Sequence, residues 1–167
     1  MLAFIAKRQG RDMPEDTQRN RARRHAIWLM VLLALFVFRV LAQLLQWSFP
    51  VSWLPSFAVW HSATLSYPVL VGTQIAIIIA AVWLIRGLLR DAIAPKPLLG
   101  RVLTWFGAVY FTGSVLRLIA GLTFGRDNAF LSAYLPGVFH VILALMVLIA
   151  ANYYRNGAPL IPKRPGP

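Results

Sequence analysis

Residues 75–82 read Ile75-Ala76-Ile77-Ile78-Ile79-Ala80-Ala81-Val82, an unbroken apolar run. A helix carrying this run has no polar face to turn toward water, so it does not belong to a soluble bundle. Working outward, the apolar stretch extends over residues 67–85. Three others resemble it, at 26–45, 102–122 and 135–151. Each is close to the ~20 residues a helix needs to cross ~30 Å of hydrocarbon. Composition agrees. Of 167 residues, 59% are hydrophobic and 13% charged, where a soluble domain carries about 45–50% and about 25%. Mean hydropathy is +0.65. The pattern predicts an all-α, single-domain integral membrane bundle of four transmembrane helices.

Flanking this domain (25–154), residues 1–24 form a basic leader and 155–167 a Pro/Gly-rich tail. The leader reads as a short amphipathic or disordered lead-in. The first apolar run exceeds the 7–15 residues of a signal-peptide core and has no small-x-small site after it, so it is expected to remain as an anchor. Pro95 and Pro97 should break the chain between the second and third helices.

The formal charge is +12, and its placement orients the path. The leader holds Lys7, Arg8, Arg11, Arg19, Arg21, Arg23 and Arg24. The second connection holds Arg86, Arg90, Lys96 and Arg101, and the tail Arg155, Lys163 and Arg164. The first connection, 47–66, has no Lys or Arg, and the third has only Arg126. Basic residues concentrate on the cytoplasmic side, so both termini are expected there, in a bacterial-type inner membrane. The charge reads as topology, with some attraction to anionic lipid headgroups. No aromatic interleaving or groove-reading helix accompanies it, so a nucleic-acid partner is excluded.

Five polar residues interrupt the spans: Arg39, Gln43, Gln74, Arg117 and His140. At ~1.5 Å per residue, all fall roughly 8–10 Å below the external face, except Gln43, which follows Arg39 by one turn. Arg39, Gln43 and Gln46 share a stripe by i, i+4, i+7 spacing. Tyr110, Gly113, Ser114, Arg117 and Gly121 are expected to form another stripe on helix three, and His140, Ala144 and Ala151 a third on helix four. Small residues allow close helix approach, and the polar member of such a face points into the bundle. Burying an arginine at mid-membrane costs at least ~2.5–3.5 kcal/mol, so both arginines need an offset. It could come from snorkelling, from stacking on Trp or Tyr, from Asp127, or from a foreign anion.

The expected site is therefore a pocket for an amphiphilic anion, lined by Arg39, Gln43, Gln74, Arg117 and His140. Trp53, Phe57, Trp60 and His61 lie in an uncharged aromatic segment expected either to form an interfacial belt or to roof this pocket. Lipids, another membrane subunit or a second copy are the expected partners. The alternative is a redox protein holding haem b or a quinone at the same cluster, with His61 and His140 as candidate ligands. No third strong metal ligand stands near them, so no metal or cofactor is predicted.

Cysteine is absent, which excludes disulfides, thiolate metal sites and a Cys nucleophile. There is no nucleophile elbow, no P-loop and no carboxylate pair. An accessory, non-enzymatic role is therefore expected over a lipid-phosphate enzyme built from His61, His140 and Asp127. A channel would require an oligomer.

Overall fold

The computed structural model describes residues 15–55, 57, 66–123 and 134–156. Among these, all regular structure is helical: α1 (Glu15–Ser48), α2 (Tyr67–Leu89), α3 (Pro97–Thr123) and α4 (Tyr134–Asn156). All four are long and apolar enough to cross a membrane. Even the shortest, at 23 residues, reaches about 35 Å.

The first helix begins at Glu15 rather than near residue 26, so the polar turns of the leader from there onward are not a separate element. No Gly or Pro occurs between Glu15 and Ser48. Glu, Gln and Arg are good helix formers, and extending an existing helix avoids the cost of nucleation. The extension is packed: Ala22 is buried, and Arg21 Nη1 donates to the Asn156 carbonyl at 3.1 Å. The Pro/Gly-rich tail lies outside the described residues.

Helix α2 opens with Ser66 at its N-cap and Pro68 in its first turn, where the missing proline N–H costs nothing. Its end is a Schellman turn. Asp91 adopts a left-handed φ of 52°. The Ala92 N–H donates back to Gly87 O at 2.9 Å, and the Asp91 N–H to Leu88 O at 3.4 Å. That geometry satisfies the orphan carbonyls of the last turn. Ile93 then folds over Gly87, where any Cβ would collide with it. Tyr153 Oη donates to the Ile93 carbonyl at 2.7 Å, fastening the connection to α4. Helix α3 restarts at Pro97, beyond the expected break.

In space the order is α2, α1, α4, α3, with α1 and α4 in the middle. Each helix is antiparallel to its neighbour. Residues 21, 25 and 39 of α1 meet 156, 152 and 139 of α4, in descending order. Among the described residues, α2 and α3 make no close approach, so the bundle is open between them.

The most extensive pairing, α3 with α4, rests on a seven-residue repeat of small side chains. Gly100, Gly107, Ser114 and Gly121 are all buried. A Cβ at Gly100 would lie 2.5 Å from the Arg155 backbone nitrogen, and one at Gly107 2.8 Å from Leu148 Cδ2. A heptad period keeps one seam against the partner helix, and small residues let the backbones close on each other. The expected stripe through Gly113 is corrected here. Gly113 is exposed, with nothing within 4 Å of an added Cβ. It sits about 100° around the helix from Ser114 and misses the seam.

Leu29, Leu33, Ile85, Leu88, Ile93, Met146 and Tyr153 form the apolar core. It occupies the half of the molecule nearest the described helix termini, Glu15 and Asn156. The outward faces are apolar too: Ile79, Trp83, Trp105, Val109 and Leu116 are exposed. So much exposed apolar surface suits a chain whose surroundings are themselves apolar.

Candidate functional site

The half farther from those termini is polar inside. Because α1 is flanked by both α2 and α4, side chains on both of its sides are covered. Arg39 is 6% exposed and Gln43 0%, with Phe36 and Val40 buried beside them. The Arg39 guanidinium carbon sits 5.2 Å from the centroid of the Phe139 ring on α4. Such a cation–π contact partly compensates a desolvated arginine.

On α3, Tyr110 packs edge-to-face on His140, with ring centroids 6.0 Å apart, and stacks with Phe106 at 5.9 Å. Tyr110 lies within electrostatic range of both Arg39 and Arg117. His140 is also within range of both arginines. The Tyr110 phenol, in ring contact with His140, thus lies within electrostatic range of guanidiniums from α1 and α3. His140 Nδ1 donates to the Pro136 carbonyl at 2.6 Å. A carbonyl only accepts, so a proton sits on Nδ1, and in the neutral ring Nε2 carries the lone pair.

The two glutamines lie on the α2 side. Gln74 Nε2 donates to Gln43 Oε1 at 3.2 Å, joining α2 to α1 in a buried bond. Gln43 Nε2 is buried with no hydrogen-bond partner among the described residues. Gln46, on the same stripe, serves the backbone instead: its Oε1 accepts from the Val51 N–H at 3.1 Å as the chain leaves α1.

The expected lid divides. Trp53 is 74% exposed, so its ring covers little. Phe57 packs edge-to-face on Tyr67 at 5.2 Å, and Trp47 lies against the same ring at 5.1 Å. This aromatic trio ties the end of α1 to the start of α2. Trp60, His61 and Asp127 lie outside the described residues. No group of three or more metal-ligating residues occurs among the described residues.

Sequence reading did not single out Phe139, which carries the Arg39 contact; its only signal was its place beside His140. Tyr110 was visible as a stripe member but not as the ring that packs on His140. From residue 26 onward, the four helices contain no Asp or Glu. The cluster therefore draws guanidinium, imidazole, phenol and carboxamide groups from its helices, a set suited to an anion with an apolar body. The planar guanidinium fork matches phosphate and carboxylate oxygens in pairs.

No protein-family model, curated protein or solved structure matches this chain. Its chemistry must be argued from the residues themselves.

Proposed function

We propose that this chain is a bacterial-type inner-membrane protein with both termini cytoplasmic. In this reading it binds an amphiphilic anion in the outer-leaflet half of its bundle, as a non-enzymatic accessory or scaffold subunit. Four apolar helices and their exposed apolar faces support membrane insertion. The concentration of Lys and Arg in the leader, the second connection and the tail supports the orientation.

The observation that carries the ligand reading is the buried Arg39 in the half of the bundle that holds the Tyr110–His140 ring contact, with both arginines within electrostatic range of that pair. Intramembrane ionisable residues mark functional sites by default. Two guanidiniums in this half of the bundle favour a lipid phosphate or a cofactor carboxylate. Replacing both by Gln keeps hydrogen-bonding capacity and removes charge. R39Q/R117Q should lose an anionic molecule that co-purifies with the wild-type chain. An unchanged co-purification profile would return both arginines to a structural role. Reporter fusions at residues 60, 94 and 160 should read outside, inside and inside.

One observation favours a redox alternative. With Nδ1 donating to Pro136 O, Nε2 of His140 is left in the state that ligates metals. An absorption spectrum of the purified chain decides: a haem Soret band supports the redox reading, and its absence removes haem.

A further inference from the structure

At the end opposite the arginine cluster, the polar turns of α1 and the last turns of α4 line a half-open cavity of about 530 Å³. Asn20, Arg21, Arg24 and Asn152 supply its polar wall, and Trp28 and Ile149 line it toward the helix midpoints. A short network holds the wall in place. His25 Nδ1 donates to the Arg21 carbonyl at 2.8 Å, and its Nε2 accepts from Asn152 Nδ2 at 3.3 Å. Arg21 uses Nη1 on the Asn156 carbonyl, which leaves other guanidinium donors available. Arg24 is exposed and makes no hydrogen bond or ion pair with a described residue. Among the described residues, no carboxylate lines the cavity.

We infer that this cavity binds the phosphodiester headgroup of an anionic phospholipid, in the leaflet facing the chain termini. Its chemistry is graded along the membrane normal, cationic and amide-rich at the outer end, aromatic and aliphatic at the inner one. Trp28 is 59% exposed, the placement favoured by indole at headgroup depth. Ile27 and Val31 are exposed on the adjoining surface of α1 and offer a path for the acyl chains. A free phosphate ion would use the arginines but gain nothing from Trp28 and Ile149. Basic pockets between helices at a cytoplasmic surface suit phospholipid headgroups, and the volume lies within the usual range for small ligands. The inference rests on the membrane placement proposed above and is independent of the Arg39–Arg117 cluster.

Native mass spectrometry tests it, with the full chain in detergent micelles titrated by phosphatidylglycerol, phosphatidylcholine or inorganic phosphate. Phosphatidylglycerol should bind in preference to phosphatidylcholine. At the usual contribution of one basic residue near a membrane surface, R21Q/R24Q should weaken that binding about thirtyfold and R24Q alone about fivefold. R24K should stay near wild type. Because Arg24 makes no bond within the described chain, R24Q separates lost charge from lost folding. In an R39Q/R117Q background, R21Q/R24Q should weaken phosphatidylglycerol binding by the same factor. Equal binding of the two lipids, or full retention in R21Q/R24Q and R24Q, would overturn the site. Loss of the R21Q/R24Q effect in the R39Q/R117Q background would move the lipid to the other cluster. Displacement by inorganic phosphate alone would assign the cavity to free phosphate and overturn the lipid source.

Discussion

The same four helices build two unlike interiors. Near the described helix termini, Leu29, Leu33, Ile85, Leu88, Met146 and Tyr153 belong to one buried cluster, and the polar atoms there serve connections and helix ends. In the other half, Arg39, Gln43, Gln74 and Ser114 are buried, with Tyr110, Arg117 and His140 around them. Inside a bilayer, an apolar side chain gains little by moving from lipid to protein, so the first interior is held by packing and close contact. The second carries a desolvation cost that packing does not need. The contrast separates what holds the helices together from the cluster proposed to bind a ligand.

The sharpest way to break this contrast is at the α3–α4 seam, which runs through both halves. Gly100→Ala forces a Cβ against the Arg155 and Tyr154 backbone, where neither partner can rotate away. A loss of about 3 kcal/mol is expected, at the upper end for overpacking, read by unfolding in mixed micelles. Gly113→Ala, facing open space, should change nothing. Equal effects at the two positions would show that the heptad is not the packing seam.

Next in size is Leu88→Ala, at a fully buried position of the apolar core. The cavity left behind should cost about 2 kcal/mol, with ligand retention untouched.

Gln74→Leu sharpens the contrast from the other side. It strands the Gln43 carboxamide in an apolar interior and should cost about 1 kcal/mol, the scale of interhelical hydrogen bonds in membranes. Q43L/Q74L, which removes both partners, should recover most of that loss. If the double variant is instead the least stable, the glutamines hold the bundle together and do not belong to a ligand site.

The smallest expected stability effect is at Arg117. Arg117→Leu makes its span more apolar, so membrane accumulation should match wild type while the co-purifying anion is lost. Abolished accumulation, restored by Arg117→Lys, would make the arginine structural and erase the distinction between the two halves.

How much of this was legible beforehand differs with the kind of question. The four apolar segments and the proline break at 95–97 follow from local hydropathy and chain geometry. The direction each side chain faces was harder to read. Gly113 and Ser114 are neighbours in sequence with opposite fates, because a step of about 100° separates seam from surface. Gln46 shares a stripe with Arg39 and Gln43, yet its partner is a backbone N–H five residues on. A stripe says which side chains lie together on a helix, but not which neighbour covers them.

Sequence by itself determined the number of long apolar helices among the described residues and the place of each polar residue along them, because each depends on a single helix; their full lengths, as at the Glu15 start of α1, did not follow from hydropathy. Tertiary structure decided that α1 and α4 lie in the middle, that Gly100 and Gly107 form the seam, and that Arg39 rests on Phe139. It also decided that Tyr110 packs on His140. These outcomes depend on which helices meet and at what rotation, and only the summed packing of whole surfaces selects among the arrangements that equal hydropathy allows.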